Sequence, residues 1–203
     1  MSHRPVELPR QPDRIETERL VLRRFARKDA GAVARHMAGR EMGWNLGRAP
    51  HPYSLADAEA FVARDEMPNA DSHAVTLRDG TLIGACGMAW RPPSPNRPND
   101  PPVTALGYWI GPDHWGHGFA PEAVAAKLFE HFARGGATVH ARAFQDNPRS
   151  LAVLRHAGFR TVGVDADTNM VRDGAHPVWL AECTAEDFRD APWNRAMARE
   201  DAA

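Results

Sequence analysis

Long apolar runs are missing from this chain. No stretch of about 18 apolar residues occurs anywhere in its 203 residues, which excludes a membrane-crossing helix. Charge of one sign is missing too. Lys and Arg number 25 against 26 Asp and Glu, a formal net of −1, so nothing favours nucleic acid or an anionic membrane as a partner. Cysteine is scarce. Cys86 and Cys183 have no local partner and read as small core residues of a reducing compartment, with a disulfide between them left open. The opening MSHRPVELPRQPDRIETERL lacks the apolar segment of a secretory signal, so a cytoplasmic location is expected. No internal repeat is visible. What is present is ordinary for a globular chain: 43% apolar and 25% charged residues, at a length that suits one domain with a sizeable core.

Periodicity places the elements. Residues 1–14 are polar and proline-rich and read as an arm with little order. RLVLRRF (19–25) alternates like a strand. Ala30, Val33, Ala34 and Met37 recur at helical spacing. Ser54 with Asp57 forms a capping-box pattern ahead of Leu55, Ala58, Phe61 and Val62. These two helices are joined by the glycine-rich GWNLGRAPHPY. Asp79-Gly80 between two β-prone runs is a hairpin signal. RPPSPNRPNDPP (91–102) holds six prolines and is excluded from a central strand, because proline lacks a backbone donor; it reads as an exposed loop. TALGYWI resumes the β pattern. A helix with Val124, Leu128, Phe129 and Phe132 on one face follows, then the strand ATVHARAF. A second helix opens on Asn147 and Pro148, and two closing strands end at Cys183. The expected fold class is α/β (α+β): one domain, residues 15–184, with a mixed, mostly antiparallel sheet of about seven strands flanked by helices. Residues 185–203 read as a polar, peripheral segment.

The run HWGHGFAPEA (114–123) raises a chemical question. Gly116 and Gly118 stand two apart, Ala120 is two further on, and a helix begins there. The first turn of a helix has backbone N–H groups without internal partners and a partial positive charge. Freed of bulky side chains after a strand, those amides form an anion cradle. The alternative is a glycine turn that only lets the helix pack on the sheet. The third glycine of the dinucleotide fingerprint and the Gly-Lys-Ser/Thr of a Walker loop are both missing.

Taken together, LGYWIGPDHWGHGFAPEAV and NPRSLAVLRHAGF, with ETERLVLRRF at the front and GTLIGACGM in the hairpin, resemble the GNAT superfamily of acyl-CoA-dependent N-acyltransferases. The branch they resemble is the ribosomal-protein N-terminal acetyltransferases, and the likeness covers residues 16–184. It implies acetyl-CoA as cosubstrate. The family's coenzyme A loop, Arg/Gln-x-x-Gly-x-Gly/Ala, falls on Trp115, Gly116, His117, Gly118, Phe119 and Ala120, with Trp115 replacing the basic or amide residue. The resemblance also implies that the strand Leu106–Ile110 splays from Val139–Phe144. Pantetheine would then bond the main chain near Tyr108 and Ile110, and Asn147 would reach coenzyme A at the start of the next helix.

The implied reaction is direct attack of a neutral amine on the thioester. Acceptors are a small-molecule or peptide amine; an α-amine, with pKa near ~8, is neutral more readily than a lysine amine near ~10.4. The family's tyrosine, seven residues after the asparagine, is here Leu154. Ser150 occupies a position where the branch often has serine and could hydrogen-bond the sulfur or the pantetheine of the cosubstrate; its other reading is a first-turn helix residue. The branch's glutamate before the GY strand is replaced by Thr104 and Ala105. His73, at the start of the hairpin, and His114, beside the loop, are the candidate proton acceptors; each also reads as a surface or packing histidine, and a water relay to main-chain groups would need neither. Trp44, Tyr53 and Trp90 could line an acceptor pocket, while Phe61 reads as core. His114 and His117 lie three apart, but no carboxylate or cysteine cluster completes a ligand set, so no metal is expected. A non-catalytic acyl-CoA-binding module on the same fold is the alternative function, a histidine-based metal hydrolase a weaker one. Acyl-chain preference stays open, as does a homodimer.

Overall fold

The computed structural model describes residues 8–47, 49–64 and 70–193. Its centre is one eight-stranded sheet, made of β1 (Arg14–Glu16), β2 (Leu20–Arg23), β3 (Ala70–Leu77), β4 (Leu82–Arg91), β5 (Val103–Ile110), β6 (Val139–Phe144), β7 (Arg160–Asp167) and β8 (His176–Cys183). The spatial order is β1-β2-β3-β4-β5-β6-β8-β7. Every neighbouring pair is antiparallel except β5 with β6. The strand beyond the expected seven is β1. At three residues it is too short to show an alternating pattern.

Because side chains alternate along a strand, cross-strand partners share a face. His73, Cys86 and Tyr108 form one such row, Asp71, Met88 and Leu106 the next. This face is covered by α4 (Phe119–Ala133) and α5 (Pro148–His156) around a core that includes Val124, Leu128 and Leu154. Ala74, Ala85 and Trp109 face the other way, into a second core with Val33, Met37, Ala58 and Val62. That core is supplied by α1 (Ala30–Met37) and α3 (Leu55–Ala63). The α3 capping box forms as expected: Ser54 Oγ accepts from Asp57 N–H at 3.1 Å, and Asp57 accepts from Ser54 N–H at 2.8 Å. Cys86 and Cys183 are both free and buried, and burial pushes each thiol up to about 12.

Three sequence expectations need revision, and a fourth, the exposed proline-rich loop, gains a detail. The glycine-rich connection contains a short helix, α2 (Arg40–Asn45), whose six residues are too few to display a 3.6-residue period. The described end of the arm, residues 8–13, packs: Leu8 lies against the core and Gln11 is buried. The segment after Cys183 forms α6 (Ala185–Arg189), capped by Thr184, and Phe188 enters the core beside Phe132. The proline-rich loop is exposed but tethered. Asn96 donates to the Ala166 carbonyl at 3.0 Å and Arg97 to that of Val164 at 3.4 Å, occupying acceptors on the edge strand β7.

His73 is corrected by the fold. It is fully buried between the sheet and α4, within a polar cluster. Lys127 Nζ, from α4, donates to His73 Nδ1 at 2.9 Å and to Asp71 Oδ2 and the Asp71 carbonyl at 3.0 and 3.2 Å. His73 Nε2 meets the Pro12 carbonyl at 2.8 Å, and Arg24 reaches the other Asp71 oxygen at 2.5 Å. Burial, then the Lys127 cation, push the His73 imidazole down to about 4. Burial would raise the Asp71 carboxyl, but Lys127, His73 and Arg24 together hold the group below its ordinary value. The unfolded chain therefore takes up a proton at His73 more readily than the folded one. The stability tied to neutral His73 is complete above its ordinary 6.5 and is lost as pH falls toward 4, a change of about 3 kcal/mol. Melting temperatures are expected to fall across that window and to fall less steeply for His73→Gln. Parallel curves for the two proteins would refute this.

Candidate active site

The parallel pair β5–β6 is zipped only at Thr104–Val139 and Ala105–His140. Beyond Ala105, β5 stays paired with β4 as far as Ile110, while β6 stays paired with β8 as far as Phe144. The two halves of the sheet therefore part after Ala105. Gly111 N–H bonds Ile83 on β4, so alternation turns the main-chain groups of Tyr108 and Ile110 away from β4 and toward the split. The Ile110 carbonyl is already engaged, accepting from Trp115 Nε1 at 2.6 Å. Trp115 thus ties the loop to the end of β5, a role that the sequence does not advertise.

An open cleft of about 680 Å³ lies at this split. Tyr108 and Ile110 line it from β5, Trp115, Gly116 and Gly118 from the loop, Phe119 and Ala120 from α4, and Asn147 and Ser150 from α5. His117 is not on the wall. Its ring stacks on Phe119 at 5.7 Å, and its Nδ1 bonds the Trp115 carbonyl at 2.8 Å. Met42, Asn45 and Leu46 form another part of the wall; sequence reasoning missed them because it missed α2.

The loop is built on two left-handed glycines at the start of a long helix. Gly116 and Gly118 have φ of +80° and +77°, a left-handed region costly for residues with a Cβ. Gly118 is the N-cap of the 15-residue α4. A Cβ built on Gly116 meets nothing within 4 Å and would project into open space. The carbonyls of Trp115 and His117 are both held by side-chain donors, His117 Nδ1 and Arg19 Nη1 at 2.8 Å each.

At the split, Asn147 caps α5 by accepting from Ser150 N–H at 3.0 Å. Ser150 Oγ lies 2.9 Å from the Tyr108 hydroxyl, which also donates to the Ser150 carbonyl at 3.2 Å. Burial raises the Tyr108 phenol above its ordinary value. Leu154 is core, so no hydroxyl stands where the resembling family has its tyrosine. No carboxylate lines the cleft among the described residues, and the imidazole on its wall is that of His114. Burial, then neighbouring His36, lower the His114 pKa.

None of the three aromatic residues expected in an acceptor pocket lines this cleft. Trp44 is a platform: its ring lies 4.4 Å from the Arg172 guanidinium, and its carbonyl accepts from Asn169 and Arg172. Arg172 also stacks on Phe144 and binds Asp146 through two hydrogen bonds, pinning α2 to the turn before Asn147. Tyr53 packs into the core under α1 and α3. Trp90 pairs with Thr104, at the end where β5 and β6 are still zipped. Among the described residues, no helix is long and apolar enough to cross a membrane, and no group of three or more His, Cys, Asp or Glu could hold a metal ion.

Comparison with known proteins agrees with the geometry. A family model described as "Acetyltransferase (GNAT) domain" matches residues 19–160. The chain is 28% identical over 155 residues to the uncharacterized N-acetyltransferase YoaA of Bacillus subtilis (strain 168), covering 74% of this chain and 84% of that protein. Among solved structures it is similar to Mycobacterium smegmatis RimJ in complex with CoA-disulfide, with TM-score 0.72, 21% identity and 89% of each chain covered. It is also similar to RimL, the ribosomal L7/L12 alpha-N-protein acetyltransferase, in complex with coenzyme A, with TM-score 0.70, 18% identity, and 86% of this chain and 99% of that one covered.

Proposed function

The chain belongs to the GNAT family of acetyltransferases, and from that membership we propose that it transfers acetyl from acetyl-CoA to a primary amine by direct attack on the thioester. One observation carries this reading. The amide loop before α4 and the Tyr108–Ser150 hydroxyl pair open on the same cleft, so a diphosphate end and a reacting end can be held on one wall. Acetyl-CoA supplies a thioester whose thiol, with pKa near ~8.5, leaves readily. The protein's tasks are then positioning and proton handling.

The residues divide those tasks. The amides of Gly116 to Ala120 take the diphosphate. The main chain of Tyr108 and the N–H of Ile110 face the split and take pantetheine. Ser150 donates a hydrogen bond to the departing sulfur. Tyr108 polarises that hydroxyl by turning its single proton from the Ser150 carbonyl to Ser150 Oγ. As nitrogen bonds to the acetyl carbon and the carbon–sulfur bond breaks, the amine proton passes to His114, whose lowered pKa keeps it neutral near pH 7. The α-N-protein acetylation named for the RimL neighbour supports a peptide N-terminus as acceptor; small-molecule amines form the other arm of the test.

The test follows free thiol while the chain meets acetyl-CoA and a panel of amines and N-terminal peptides. Thiol release in step with an acetylated product is expected for at least one acceptor. Ser150→Ala should lower kcat by about 100-fold with acetyl-CoA affinity nearly unchanged. Saturable acetyl-CoA binding with no turnover on any amine would favour a non-catalytic acyl-CoA-binding module, the reading that Leu154 and the carboxylate-free wall support.

A further inference from the structure

Glu122 sits in the first turn of α4, the positive end of a helix, yet its carboxylate is turned back into the protein and is only 3% exposed. Three groups from the β1–β2 connection converge on it. Thr17 Oγ1 and Arg19 N–H bond Oε1 at 2.5 and 3.0 Å, and Arg19 Nε bonds Oε2 at 2.7 Å, with Nη2 2.6 Å from the same oxygen. So oriented, the Arg19 guanidinium extends along the loop. Nη1 takes the His117 carbonyl at 2.8 Å, Cζ lies 5.0 Å from the Phe119 ring centroid, and Nη2 is 3.3 Å from where a Gly118 Cβ would stand. A cradle of N–H groups binds an anion only if its carbonyls point elsewhere and stay there. Arg19 holds one of them outward.

We propose that Arg19, anchored by Glu122, is the positioning residue of the anion cradle, fixing the Gly116–Ala120 amides toward the diphosphate of coenzyme A. It also returns a cation to a loop whose first position holds Trp115. This rests on the acetyl-CoA reading above. Glu122 is the part that separates a clamp from a mere positive charge. If only the charge of Arg19 mattered, removing the nearby carboxylate would strengthen anion binding. If orientation matters, removing it frees the guanidinium and weakens binding.

The experiment compares calorimetric binding of coenzyme A and of pantetheine, which lacks the diphosphate, to the full chain and to Arg19→Ala, Glu122→Gln and the double variant. Arg19→Ala is expected to weaken coenzyme A about 10- to 100-fold, the loss of one or two charge-assisted contacts. Glu122→Gln should weaken it in the same direction, the double variant should be no worse than Arg19→Ala, and pantetheine binding should not change. Tighter coenzyme A binding by Glu122→Gln, unchanged binding by Arg19→Ala, or equal losses for both ligands would each overturn the proposal. Arg19→Lys serves if Arg19→Ala does not fold, and full binding by Arg19→Lys would overturn it as well. Failure of the unsubstituted chain to bind coenzyme A would instead remove the functional reading itself, and this inference with it.

Discussion

Gly118→Val is expected to abolish tight binding of acetyl-CoA, raising its dissociation constant by about 100-fold or more. Two independent costs combine. Gly118 has φ +77°, which costs a residue with a Cβ roughly 1–2 kcal/mol, more when the side chain is β-branched. A Cβ there also stands 3.3 Å from Arg19 Nη2, so relief of the strain rotates the amides away from the cleft or displaces the guanidinium that holds them. Each charge-assisted hydrogen bond to the diphosphate lost in this way is worth about 1.5–3 kcal/mol, and 1.4 kcal/mol is tenfold in affinity. The fold itself should lose only a few degrees of melting temperature. Titration calorimetry beside a thermal melt separates the two effects. Unchanged affinity in a folded Gly118→Val protein would count decisively against the cradle.

Lys127→Met is expected to be the most damaging single change to stability. The ammonium is fully buried, and its three donors are matched by His73 Nδ1, Asp71 Oδ2 and the Asp71 carbonyl. Methionine fills the volume but leaves the Asp71 carboxylate with Arg24 alone and His73 Nδ1 without its donor. Breaking a buried pair from one side costs about 3–5 kcal/mol, or about 10 °C of melting temperature at this chain length. The exposed pair Arg14–Glu16 offers the contrast, since such pairs contribute roughly 0–1 kcal/mol. Combining Lys127→Met with Asp71→Asn should cost less than the sum of the single changes, because the stranded charge is then absent. A loss under about 1 kcal/mol for Lys127→Met would mean that water reaches the cluster.

Local signals in the sequence were enough for most of the fold. The Ser54–Asp57 capping box, the Asp79-Gly80 hairpin, Asn147 ahead of Pro148 and the glycine loop at α4 all occur where expected. Each depends on residues a few positions apart, and near-neighbour chemistry is what a linear reading can evaluate. The elements that escaped it, β1, α2 and α6, are three, six and five residues long, too short to show two full periods. Part of the cleft wall was legible for the same reason: Tyr108, Ile110, Trp115, Gly116, Gly118, Phe119, Ala120, Asn147 and Ser150 lie in continuous motifs, whereas Met42, Asn45 and Leu46 come from the distant α2 region.

Side chains whose surroundings come from distant segments could not be read in this way. His73 carries an imidazole suited to catalysis, but the packing of α4 on β3 encloses it with Lys127, 54 residues away. Trp44 is held against Arg172, 128 residues on, and the Arg19–Glu122 clamp joins positions 103 apart. By itself the sequence determined the longer elements and the glycine turn that opens α4, because backbone conformation answers to neighbours along the chain. The tertiary structure alone decided which titratable groups reach the cleft and which are sealed beneath it, because burial and charge pairing depend on what the fold brings together in space.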